Sequence, residues 1–291
     1  LYLKVIVNPT AGAGRAVRVW RRVEASLRRL VRPAVRCRAF YPGSPDQARG
    51  LARQAAAEGF DALLVIGGDG TINEVAAGAL ESGLPLAVVP AGTGNACARS
   101  LGQVLVPRDL CRSLQAGRIR QIDVGTIGDR VFVNMAGIGF DSEVLQGFRH
   151  NRIVRGIPGY VVTGLQKLPS YRAPRVSIAT AGASLTVRTT LVAICNGPYY
   201  GGGLRMVPQA DMTDGLLDIC VMENLTAAEV FAMWSALYSG QHVRHPKVRF
   251  LRDTEFRLES EVPLLYHCDG DLTGYTPCTV RVLPRALQVI A

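Results

Sequence analysis

The chain has 291 residues, 48% of them hydrophobic and 19% charged, and carries a formal charge of +10. Such a length predicts two domains on the usual scale of about 150 residues each, and the composition excludes a disordered chain. No apolar run reaches the ~18 residues of a membrane-spanning helix, and the opening LYLKVIVNP lacks the h-region of a signal peptide, so the expected location is cytoplasmic.

In chain order, residues 3–9 read as a strand and 15–31 as a basic amphipathic helix. Residues 35–40 form a second strand, and Pro45 to Glu58 a second helix with the proline near its start. A third strand covers 62–68, a helix 71–81, and a fourth strand 86–90, followed by helices over 95–101 and 107–116. Strands alternating with helices predict a mostly parallel sheet covered on both faces, with ligands at the carboxyl ends of the strands. Beyond Asp123 the segments are short, β-rich and separated by turns, which predicts an antiparallel sheet or sandwich. Two helical insertions interrupt it, over 141–170 and 226–239. The expected fold is therefore an α/β domain over 1–123 and a β-rich, sandwich-like domain over 124–284, with 285–291 a candidate to complete the first.

Seven cysteines (37, 97, 111, 195, 220, 268 and 278) stand singly, without CxxC spacing. That scatter argues against a disulfide framework and a zinc site, and for small buried hydrophobes. Charge is distributed unevenly. From Val144 to Ala210 there is no acid, yet Arg149, Arg152, Arg155, Lys167, Arg172, Arg175, Arg188 and Arg205 fall there. Arg15 to Arg38 is similarly basic, with Glu24 its one acid. Asymmetry of this kind points either to an anionic partner or to a solvated face. With 7% aromatic residues and no RNA-binding signature, a nucleic-acid partner is not expected.

Three glycine-rich turns carry the chemistry: NPTAGAG at 8–14, GGDGT at 67–71 and AGTGN at 91–95, each at the end of a predicted strand. Glycine admits positive φ and close approach of backbone N–H groups to an anion, and the following helix adds its N-terminal dipole. Asp69 is the unusual member, since a carboxylate beside a phosphate site implies a bound cation or a proton to be taken. There is no Walker A loop, no complete GxGxxG fingerprint and no protein-kinase signature. Taken alone, DGD at 269–271 reads as a hairpin turn.

Together with NMAGIGFD at 134–141, NGPYYGGG at 196–203, VPQADMTDGLLD at 207–218 and CDGD at 268–271, these motifs resemble the diacylglycerol-kinase catalytic-domain family across nearly the whole chain. The resemblance implies an ATP- and Mg2+-dependent lipid kinase with its nucleotide site in the cleft between the two domains. By the same resemblance Asn8, Thr10, Gly12, Gly14, Gly67, Gly68, Asp69, Gly70, Thr71, Asn73, Thr93, Asn95 and Arg99 line the nucleotide. Asp69 organises Mg2+ and phosphates, and Asp271 or Asp269 accepts the lipid's proton. Asp211, Asp214 and Leu216 form a structural Mg2+ loop, the carboxylate of Asp214 and two backbone carbonyls being the ligands. The chain departs from the family at Ala96, where an Asp is frequent, at Asp271, where the family has Glu, and at Tyr41, a candidate to stack on the base. The expected acceptor is diacylglycerol, phosphatidylglycerol or a sphingoid lipid met at an anionic membrane surface. Homo-oligomerisation stays open. A kinase of a soluble substrate, NAD-kinase-like, is the alternative.

Overall fold

The computed structural model describes residues 1–31, 35–44, 46–102, 107–150 and 156–291, the side chains of His150 and Ile157 excepted. Pro45, Arg152 and Arg155, singled out above, lie outside the described residues, as does part of the helical insertion expected over 141–170. Contacts divide the chain into two compact units, Leu1–Asp123 with Pro284–Ala291, and Val124–Leu283.

In the first unit the apolar runs form strands β1 (Tyr2–Val7), β2 (Arg36–Phe40), β3 (Ala62–Gly67) and β4 (Leu86–Pro90). They pair in parallel in the order β2-β1-β3-β4, and the linking segments contain α1 (Ala11–Leu30), α2 (Gln47–Arg53), α3 (Asp69–Ser82), α4 (Ala96–Ser100) and, after β4, α5 (Pro107–Ala116). The buried positions of α1 are Ala16, Trp20, Val23 and Leu27, the spacing of one helical face. With Leu110 and Leu114 of α5 they cover Leu3, Val5 and Val7 of β1. Alternation along β1 sends Lys4 to the other face. There it is fully buried, its Nζ lies 2.8 Å from Glu58, and the Phe40 ring centre is 4.8 Å away. The helix expected over 45–58 is shorter than the sequence suggested. After Arg53 the regular i→i+4 ladder gives way to mixed turns, with i→i+3 bonds from Ala55 N–H to Ala52 O and Gly59 N–H to Ala56 O beside the i→i+4 bond from Glu58 N–H to Gln54 O, and the left-handed Gly59 (φ +79°) ends the segment.

The second unit contains β6 (Arg130–Phe132), β7 (Met135–Gly139), α6 (Phe140–His150), α7 (Gly156–Lys167), β8 (Arg175–Ala179), β9 (Ser184–Cys195), β10 (Leu217–Glu223), α8 (Ala227–Ser239), β11 (Val248–Asp253), β12 (Glu255–Ser260), β13 (Leu265–Cys268) and β14 (Asp271–Tyr275). Strands β5 (Ile119–Ile127) and β15 (Cys278–Ile290) run through both units. The long β9 belongs to two sheets: its first half pairs with β8, its second with β7 and β10, all antiparallel. Val192 and Ile194 of β9, Ile219 and Val221 of β10 and Phe256 and Leu258 of β12 meet in one core. The alternate residues Ala193, Cys195, Cys220 and Met222 face outward, where Met233 and Leu237 of α8 cover them. This is the sandwich that the period-2 pattern demands. The latter part of β15 returns to the first unit, where Val289 pairs in parallel with Leu86.

All seven cysteines are free thiols, and burial pushes Cys220 and Cys268 up to about 12. Among the described residues no helix is long and apolar enough to cross a membrane.

Candidate functional site

Because β1, β3 and β4 are parallel, their carboxyl ends lie on one edge of the sheet, and the three glycine turns that follow them converge there. Gly12, Ala13 and Gly14 adopt left-handed backbone in succession (φ +57°, +56° and +85°). A Cβ on Gly12 would stand 2.2 Å from the carbonyl oxygen of Ala91, and one on Gly92 only 2.5 Å from Gly68 Cα. The loops are packed backbone against backbone, a cradle that any side chain would fill.

Side chains lock the three loops together. The Asn8 amide donates to Thr71 Oγ1 at 2.8 Å and accepts from Thr10 N–H at 3.0 Å. Asn95, itself left-handed, accepts from Gly92 N–H through Oδ1 and donates back to Gly92 O. Arg15 donates to Gly92 O at 2.6 Å, tying the first turn to the third; in the sequence it read only as part of a basic helix. Asp69 stands at the start of α3 after Gly68, and its Oδ1 accepts the N–H of Cys97 at 3.0 Å, with Asn95 and Ala96 N–H groups also bonding the carboxylate. Burial pushes its carboxyl above the ordinary value, and these N–H bonds oppose the shift. As folded, Asp69 joins the second glycine turn to the third. Gly67 is buried, Gly70 and Asn73 are half-buried on or beside α3, and Thr93 and Arg99 are exposed. Tyr41 is half exposed just beyond β2.

The second unit holds the carboxylates of DGD in different states. Asp269, left-handed at φ +47°, is buried, and its oxygens accept from the backbone N–H groups of Val133, Asn134 and Met135 at 2.7, 3.2 and 2.9 Å. Asp271 is half-buried, its side chain 46% exposed, and pairs with Arg149 of α6 at 2.6 Å, the same guanidinium bonding Gly270 O. Sequence reasoning left open which of the two is the base; here one is committed to the backbone and the other reaches solvent.

Beside this turn lies an apolar cavity of about 200 Å³. Its walls come from α6, α7, β9 and α8 and from the segment 200–206, and include Val144, Leu165, Leu168, Leu191, Met206, Met222, Phe231 and Trp234. Asp141, Tyr160, Thr190 and Tyr200 bring polar groups to the wall. Tyr200 donates to Asp141 Oδ2, and His267 Nε2 lies 2.9 Å from the same oxygen and 3.1 Å from the phenol. Burial, then the Asp141 charge, raises the Tyr200 phenol well above its ordinary value. No spacing in the sequence marks this cluster, although Asp141 and Tyr200 sit in two of the quoted motifs and His267 directly precedes CDGD.

The loop expected to bind a metal is organised otherwise. Asp211 Oδ1 accepts from Thr213 N–H, and Asp214 Oδ1 from Leu216 N–H. The second oxygen of Asp214 lies 3.0 Å from Arg252, which also bridges both oxygens of Asp218. The chain's own guanidinium thus pairs with the carboxylate that was expected to hold the ion. Among the described residues no group of three His, Cys, Asp or Glu side chains is placed to hold one.

Comparison with known proteins agrees with this architecture. Residues 2–127 match the diacylglycerol kinase catalytic domain, and residues 134–291 match the YegS C-terminal NAD kinase beta sandwich-like domain. A diacylglycerol kinase of Mycobacterium tuberculosis is 30% identical over 98% of this chain and 93% of its own. One of Staphylococcus aureus is 27% identical, covering 99% of this chain and 91% of its own. A crystal structure of a putative diacylglycerol kinase from Bacillus anthracis superposes with a TM-score of 0.79 at 24% identity, over 99% of this chain and 94% of that one, a likeness of fold. The chain belongs to the diacylglycerol kinase family, kinases that act on a lipid alcohol.

Proposed function

We propose that the protein transfers the γ-phosphoryl group of Mg2+-ATP to the hydroxyl of a lipid with long hydrocarbon chains. The observation that carries this reading is the apolar cavity beside the Asp269–Asp271 turn. Against its wall a hydrocarbon chain loses no hydrogen bond, whereas a dinucleotide would bury polar groups unpaired. Diacylglycerol is the first acceptor to test, because the M. tuberculosis and S. aureus relatives bear that name; phosphatidylglycerol and sphingoid lipids offer the same hydroxyl.

The backbone N–H groups of the three glycine turns bind the phosphates, and Asn8, Arg15, Asp69 and Asn95 keep those turns in register. The nucleotide supplies the phosphoryl group, and its Mg2+ neutralises charge as that group is transferred. No metal role is assigned to the loop 211–216. Asp271 takes the proton from the lipid hydroxyl, because a base needs an accessible lone pair within about 3 Å of the proton. Asp269 is unsuited to that task, since protonating it would break its bonds to the backbone. Exposed Leu165 and Phe231 border the cavity, and Lys167 and Arg172 lie on or just beyond α7. This arrangement suits an anionic bilayer surface, to which each nearby basic residue adds about 1 kcal/mol.

The test is transfer of γ-labelled phosphate from Mg2+-ATP to mixed micelles of diacylglycerol, phosphatidylglycerol, sphingosine or ceramide, with NAD as the soluble control. Labelled lipid is expected. Label on NAD alone would sink the lipid reading.

A further inference from the structure

The proton on His267 is placed by its neighbours. Gly270 donates its backbone N–H to Nδ1 at 3.3 Å, so Nδ1 carries the lone pair and Nε2 the hydrogen. The Nε2–H then points at Asp141 Oδ2, with Tyr200 completing the cluster. Gly137 makes the cluster sterically feasible, since a Cβ there would stand 2.1 Å from Asp141 Oδ2 and 2.5 Å from His267 Nε2. Gly270 is the middle residue of the turn that presents Asp271. Asp269 anchors one end of that turn and Arg149 the other; His267 holds its centre.

We propose that His267 is a positioning residue: Asp141 and Tyr200 fix its ring, and its Nδ1 holds the Gly270 N–H so that Asp271 faces the lipid hydroxyl. The role in transfer rests on the lipid-kinase reading above; the hold on the turn does not. Asp141 and Tyr200 also belong to the cavity wall, so the groups that meet the lipid chain are bonded to the ring that aims the base.

Two amide variants separate this role from simple packing. In His267→Asn the side-chain oxygen lies where Nδ1 was and still accepts from Gly270. In His267→Gln the amide reaches toward Asp141 and leaves Gly270 without its acceptor. With both variants folded by thermal melt, kcat is expected to fall roughly 10- to 100-fold in His267→Gln with KM for lipid little changed. His267→Asn is expected to retain most of the activity. Amide hydrogen exchange at Gly270 should accelerate in His267→Gln and not in His267→Asn. Equal losses in both variants, or Gly270 exchange unaltered in His267→Gln, would overturn the proposal. Should the wild type transfer no phosphate to lipid, the functional reading fails, and exchange at Gly270 alone decides whether His267 holds the turn.

Discussion

The carboxylate of Asp69 accepts the backbone N–H of Cys97 across a separation of 28 residues, fastening the second glycine turn to the third. Asp69→Ala removes the acceptor for this group and for the neighbouring N–H groups, a loss of about 1–3 kcal/mol. Thermal melts with and without ATP should show both lower stability and loss of the nucleotide-dependent increase. The pH dependence has a definite sign. Burial raises the folded-state value above the ordinary 3.8, so this group's favourable contribution is complete below 3.8 and is lost as pH rises through the raised value. Asp69→Asn should flatten that part of the stability profile.

Gly92→Ala should disable the cradle without unfolding the chain. Its Cβ would stand 2.5 Å from Gly68 Cα, a backbone atom that moves only if the turns separate. ATP affinity measured by calorimetry is expected to fall at least about tenfold, or 1.4 kcal/mol. Gly182→Ala, where a Cβ meets nothing within 4 Å, is the neutral control.

Asp269 and Asp271 should fail in different ways. Asp271→Asn is expected to lower kcat by about 10²–10⁴-fold with an unchanged melting temperature. Asp269→Ala leaves the N–H groups of Val133, Asn134 and Met135 without their carboxylate and should lower stability by about 1–3 kcal/mol or more. A folded Asp271→Asn protein with full activity would remove Asp271 as the base.

Gly164 of α7 lines the cavity, and a Cβ there meets only the Val144 methyls at an ordinary 3.8 Å. Gly164→Leu should therefore fill cavity space while improving helix propensity by about 1 kcal/mol. Denaturant titration should show unchanged or greater stability. Lipid kinetics should show a higher KM for long-chain acceptors and a smaller effect on short-chain ones.

The framework of the first unit is legible in the sequence because β3 and β4 are continuous apolar runs and β1 is broken only by Lys4, each ending in glycine-rich or Asn-Pro punctuation. Helix α2 is less legible, since the alanine-rich stretch after Arg53 has helical composition but breaks into turns of mixed bond spacing toward Gly59. The three glycine-turn motifs are local in sequence, so their convergence follows from parallel strand order alone. The cluster of Asp141, His267 and Tyr200 is not local: helix α6, the segment after β9 and strand β13 bring it together, and no spacing encodes it. A lone histidine such as His267 reads as a core residue until its two ring nitrogens are seen to have different partners. Asp269 and Asp271 likewise look alike as letters and separate only through the backbone amides that surround one of them.

Strand β15 carries a further consequence. Leu287, Val289 and Ile290 are buried, and Val289 extends the sheet at Leu86, yet residues 124–283 intervene between this segment and the rest of the first unit. During synthesis the first unit is therefore incomplete until the entire second unit has been made. The pairing is among the most distant in the chain, so closing it carries the loop entropy of that intervening segment and favours late docking. The first unit therefore cannot complete its sheet ahead of the second, although most of its own chain emerges first.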